Sequence, residues 1–176
     1  LACTTGNWKS QEFIQYESKE FICRMRLLDS HGRELSFTDV GSGIGYVLPI
    51  LIESFREVDN NAIVFLQQPE LHLHPALQAS LTDVLIEACS NKRIVAETHS
   101  EHMILRALKR IRQTSLKTLA DPTLSLHPSD VAVNYFEPLP DGSTKIHHLR
   151  ISDDGDFIDR WPNGFFSERD KELFDE

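Results

Sequence analysis

The residues best equipped for chemistry fall in one run. An apolar stretch at 62–66 stops abruptly at two amides, Gln67 and Gln68, and is followed by Glu70, His72 and His74. An apolar strand that ends in polar residues delivers them to the carboxyl edge of a parallel sheet, where α/β proteins bind ligands. A second strand-like run at 93–97 leads into Glu97-Thr98-His99-Ser100. Upstream, Asp39-Val40-Gly41-Ser42-Gly43-Ile44-Gly45 opens an apolar helix. Free backbone donors at the positive end of a helix make an anion seat. Metal chemistry competes for the same residues, because His72 and His74 with His99 or Glu70 offer ligands for zinc and related ions. Alternation in an extended segment sends the two imidazoles to opposite faces, which opposes shared coordination.

The elements that must position these residues follow from periodicity. A helix is expected from Ser42 or a neighbouring glycine to about Glu57, kinked at Pro49 where a backbone donor is missing. The wholly apolar run at 62–66 predicts a short strand covered on both faces. Pro75 suits the first turn of a second helix, whose Leu77, Leu81, Val84, Leu85 and Ala88 recur as one buried stripe. Residues 93–97 form the next strand, and Ile104, Ala107, Leu108 and Ile111 mark the inner face of a third helix. This alternation defines a parallel α/β layer over 39–118. Before it, 1–38 reads as a β-hairpin region, with turn chemistry at 30–33. After it, 119–176 reads as a β-plus-helix extension: strands at 131–136 and 145–149 flank Pro138-Leu139-Pro140-Asp141-Gly142, and Trp161, Phe165, Phe166 and Phe174 suggest an aromatic clasp ending in a short helix. That clasp packs on its own body or docks on a partner.

Composition narrows the functional classes. With 176 residues, 40% of them hydrophobic, the chain can bury one ordinary core. It opens without Met or a leader, so an internal start is expected. No apolar run approaches the ~20 residues of a membrane span, and a soluble protein with no membrane role follows. Cys3, Cys23 and Cys89 lack paired spacing and read as reduced cytoplasmic thiols. The net charge of -9 opposes a generally nucleic-acid-binding surface. Charge is nonetheless uneven: the tail at 151–176 is strongly acidic, whereas 102–120 holds Arg106, Lys109, Arg110, Arg112 and Lys117 without an acid. That stretch reads as a solvated helix face or as a nucleic-acid contact.

The run at 63–75 resembles the Walker B and D-loop region of RecF-like, OLD-like and related ABC-type ATPases, a pattern ending in Pro-Glu-x-His-Leu-His-Pro. In the same family order, 39–45 resembles the ABC signature and 97–100 the switch loop. Ser129-Asp130-Val131 and Trp161-Pro162-Asn163-Gly164-Phe165-Phe166 resemble the C-terminal domain of unknown function that follows such cores in bacterial proteins. The resemblance implies an α/β fold: a partial ABC-ATPase-like (P-loop NTPase) parallel sheet with flanking helices, plus antiparallel hairpins at both ends. It implies catalytic positions at Gln68 and His99, with His99 sensing the terminal phosphate. It implies nucleotide contacts at Gly41, Ser42, Gly43, Gln67, Glu70 and His74, and it puts Gln67 where a magnesium-linked acid belongs. ATP and magnesium are the implied cofactors.

Departures from the family pattern shape the expected function. Neither Gln67 nor Gln68 carries charge for magnesium or can take a proton from attacking water. Gly-x-x-x-x-Gly-Lys-Ser/Thr does not occur in the chain, and without that loop the β- and γ-phosphates lack their main cradle; family members carry it in a preceding segment, and ATP and magnesium are expected only together with it. The chain is therefore expected to be the C-terminal portion of an ATP-gated dimeric ATPase in nucleic-acid transactions such as DNA repair or phage defence, inactive in hydrolysis by itself. Self-association through an uncovered strand edge is expected, as is a DNA or effector-protein partner. Two other readings stand: a non-catalytic binding module on a degenerate ATPase scaffold, working through its basic helix and acidic tail, and a His-based metal hydrolase.

Overall fold

The computed structural model describes residues 13–17, 20–24, 27–29, 31–36, 40–56, 62–90 and 92–162, the first two segments by backbone path. Four two-stranded pairings and three α-helices make up the described chain. β1 (Phe13–Glu17) pairs antiparallel with β2 (Glu20–Arg24), and β3 (Leu27–Leu28) with β4 (Glu34–Leu35). Sequence patterning anticipates only one hairpin here. The second closes around Asp29, whose carboxylate accepts the backbone N–H groups of His31 (2.8 Å) and Arg33 (2.9 Å), the local side-chain turn that Asp favours.

The central layer follows the expected order. α1 spans Ser42–Phe55 with Pro49 inside it, β5 spans Ile63–Gln67, α2 Pro75–Ala88, β6 Arg93–Glu97 and α3 Glu101–Ser115. β5 and β6 are parallel, with Gln67 and Glu97 as Cα partners at their carboxyl ends. Val47, Leu73, Leu81, Leu85 and Met103 form the core, and Leu66 and Ile94 pack against it from the sheet. The stripe read on α2 is the one that is buried, because positions three and four apart share a helix face.

The expectation that β5 is covered on both faces is overturned. Val64 and Leu66 turn toward the helices, while Ile63 is 47% and Phe65 75% exposed. Strand side chains alternate, and helices α1 and α2 cover one face only. A run of apolar residues records what a strand can bury, not what is present to bury it.

Two polar devices hold the layer together. Lys92, buried at the start of β6, sends Nζ to the carbonyls of Glu53 (2.7 Å), Ser54 (2.9 Å) and Arg56 (2.8 Å). The ammonium thus satisfies carbonyls that the end of α1 leaves without partners and sits at the negative end of its dipole. Between α2 and α3, Asp83 accepts a two-pronged bond from Arg110 (both 2.8 Å) and a third from Arg106 (2.8 Å).

The C-terminal part is an antiparallel hairpin, β7 (Val133–Pro138) with β8 (Thr144–Leu149), turning through 139–143. Trp161 packs edge-on against Phe157 (centroids 5.2 Å) and Tyr135 (6.1 Å), so part of the anticipated aromatic clasp closes on its own body. Phe165, Phe166, Phe174 and the expected terminal helix lie outside the described residues. Among those described, no helix is long and apolar enough to cross a membrane.

Candidate functional site

The carboxyl ends of β5 and β6 carry the chemistry-bearing residues. Gln67 ends β5 with an exposed side chain, and Glu97 ends β6 beside it. The backbone N–H of Gln68 donates to the carbonyl of Glu97 at 2.8 Å, which fixes the two strand ends in register one residue past the sheet. From there the chain turns sharply. Gln68 (φ 44°) and His72 (φ 61°) both adopt the left-handed conformation, which costs a non-glycine residue roughly 1–2 kcal/mol. Such conformations persist where surrounding structure imposes them, and they cluster at functional turns.

Glu70 is the pivot of this turn. It is 9% exposed, and its Oε1 accepts the backbone N–H of His99 at 2.7 Å. Oε2 is buried without a hydrogen-bond partner among the described residues. A second link runs alongside. Gln78 donates to the carbonyl of Leu73 (2.9 Å) and accepts from the hydroxyl of Ser100 (2.5 Å), and Ser100 caps α3 by accepting from the N–H of Met103 (3.2 Å). The loop after β6 is thereby tied twice to the loop after β5, and the His99 ring stays exposed with no hydrogen-bond partner among the described residues.

The glycine turn at 41–43 attaches to the same loop from the other side. Gly41 (φ 71°) precedes α1 with no side-chain cap, so the first-turn N–H groups keep their donors. Gly43 lies so near the carbonyl of His72 that a Cβ would meet that oxygen at 2.7 Å; only glycine fits. Tyr46 packs against the ring of His72 (centroids 4.7 Å). His74 has a local role: it precedes α2, and its Nδ1 accepts from the N–H of Ala76 at 3.3 Å.

A cleft of about 910 Å³ opens at the strand ends. It is lined by Gln67, Glu97, Thr98 and His99, by Phe65 and Val95 from the strands, and by β7 from Val133 to Phe136 with Trp161. Gln67 and His99 are thus brought together. Gly41, Ser42, Gly43, Gln68, Glu70 and His74 do not line it. The side chain of Glu97, one of the carboxylates nearest Gln67 and Gln68 in sequence, has no hydrogen-bond or ion-pair partner among the described residues.

Among the described residues no three His, Cys, Asp or Glu side chains gather to hold a metal, because His72 stacks on Tyr46 and His74 faces its own helix. The acid-free stretch on α3 is not a bare basic face: Arg106 and Arg110 are engaged by Asp83, and Arg112 bonds the Asp154 carbonyl (2.7 Å) and the Asp156 carboxylate (2.7 Å).

A helix-covered parallel strand pair, with polar strand ends meeting in a cleft, is an α/β arrangement consistent with part of a P-loop NTPase-like protein. A family model described as an AAA ATPase domain matches residues 3–104, and the chain belongs to that family. Residues 126–175 match a second model, described as a protein of unknown function (DUF3696). No curated protein matches the chain. Family membership makes this an ATPase-type, nucleotide-binding protein.

Proposed function

We propose that this chain is the switch-bearing portion of a cytoplasmic, RecF-like, ATP-gated dimer that hydrolyses ATP slowly and serves nucleic-acid transactions such as DNA repair or phage defence. The observation that carries the reading is the meeting of Gln67 and His99 in one cleft at the carboxyl ends of two parallel strands. In this reading 63–75 acts as Walker B and D-loop, 39–45 as the ABC signature and 97–100 as the switch loop.

The cleft offers amide, carboxylate and imidazole groups, a set suited to magnesium and a terminal phosphate. When bound, ATP with magnesium supplies the γ-phosphate that the site reads. The exposed His99 ring would donate a hydrogen bond to a terminal phosphate oxygen, and Glu70 holds the His99 backbone in place for it. Gln67 offers an amide oxygen. Gln68 lies just past Gln67 and outside the cleft lining; with an amide in the base position nothing there would take a proton from water, which would keep hydrolysis slow. The uncapped start of α1, behind Gly41 and Ser42, lies off this cleft and is free to seat the phosphate of a partner protomer. Affinity between protomers then depends on the γ-phosphate, which is the physical content of gating.

Calorimetry with ATP and light scattering, on protein expressed from its full reading frame, test the proposal. ATP binding with nucleotide-dependent dimerisation, both weakened by His99→Ala, is expected. A protein that binds no ATP, or binds it with no change in oligomeric state, overturns the reading.

A further inference from the structure

We infer that Glu97 is the carboxylate through which this site holds a divalent cation against a bound polyphosphate; the inference rests on the nucleotide reading above. Three observations converge on it. Glu97 is the Cα partner of Gln67 in a parallel pair, so both side chains leave the same sheet face at the same height. Its side chain is also exposed and without a partner among the described residues, of which it is the one carboxylate lining the cleft. The neighbouring acid, Glu70, is buried and already accepts the His99 amide.

Electrostatics then selects the ligand. Among the described residues no Lys or Arg lines the cleft, so on these walls a polyphosphate meets a carboxylate and no fixed cation. Like charges at that distance repel, and a divalent cation placed between them converts repulsion into attraction. The Glu97 carboxylate and the Gln67 amide oxygen are hard donors. Magnesium characteristically takes one or two protein oxygens and completes its octahedron with water and phosphate. The acid that position 67 lacks is thus supplied across the ladder, from the adjacent strand.

The test uses protein expressed from its full reading frame, Mn²⁺ as the metal probe and a non-hydrolysable ATP analogue, with affinity measured by calorimetry in Mn²⁺ and in EDTA. Wild type should bind the analogue at least about tenfold more tightly with Mn²⁺. Glu97→Gln, isosteric and exposed, should reduce that gain to about threefold or less, with metal-free affinity raised because the repelling charge is gone, and Glu97→Asp should keep part of the gain. A Glu97→Gln protein that retains the wild-type metal gain, or that loses metal-free affinity as well, overturns the inference and leaves the nucleotide reading intact. A wild-type protein that binds the analogue under neither condition overturns the nucleotide reading itself.

Discussion

The backbone N–H of His99 donates to Oε1 of Glu70 at 2.7 Å, across 29 residues of sequence. The bond is charge-assisted and mostly sheltered from water, and it joins the loop after β6 to the turn after β5. Glu70→Ala should leave the His99 N–H without its acceptor, at a cost of about 1–3 kcal/mol. Urea unfolding checks the stability loss, and hydrogen exchange at His99 checks its origin. Unchanged protection of that amide would mean that the loop is held by Gln78 and Ser100 alone.

The C-terminal hairpin is fastened to α3 by a glycine. Gly155 is buried with φ 69°, and a Cβ there would collide with the carbonyl oxygen of Leu108 and crowd the N–H of Arg112. Arg112 completes the latch through Asp154 and Asp156. Gly155→Ala combines a left-handed backbone with a clash against helix backbone, so the 152–156 loop should lift from α3. The expected loss exceeds about 1 kcal/mol, with faster proteolysis after residue 120 and little change before it. Uniform destabilisation without selective proteolysis would contradict the latch.

The order of the central layer was legible because its signals are local. Apolar positions three and four apart set α2, and Pro75 marked its start. The cover of β5 was not legible, since Phe65 looks the same in sequence whether or not a layer lies over it. The adjacency of Glu97 to Gln67 was not legible for a related reason: it exists only through the strand register. Lys92 gives no local sign that it will end the chain of carbonyls at α1. The pairing of Arg106, Arg110 and Arg112 was not legible in the same way, because Asp83 and Asp156 come from other elements. The placement of Gln67 and His99 in one cleft follows from two strand ends, each readable alone, and a parallel pairing that only the fold supplies.

Acid stability should report on the pair that closes the C-terminal loop. The Arg150 guanidinium, with its backbone N–H, holds the Asp159 carboxyl down to about 2 from its ordinary 3.8. A carboxyl depressed on folding contributes stability that is complete above its unfolded value and is lost as pH falls through the folded one. Wild type should therefore lose this contribution between about pH 4 and pH 2, and Asp159→Asn should flatten that part of the curve. Acid titration by near-ultraviolet circular dichroism reads both. Parallel wild-type and variant curves would remove the pair from the acid response.

Gln68 directly follows β5, in a left-handed conformation with its N–H on the carbonyl of Glu97. If position 68 faces the attacking water, the amide there can align it but cannot accept its proton. Gln68→Glu changes that single capacity at constant size, and a positioned general base contributes about 10²–10⁴-fold. Steady-state phosphate release from protein expressed from its full reading frame should rise at least about tenfold, with nucleotide affinity little changed. Affinity is the discriminating readout, because a carboxylate that instead sat against the phosphates would weaken binding by charge repulsion. Unchanged turnover with weakened binding would place residue 68 beside the phosphates and move the search for the base to another element.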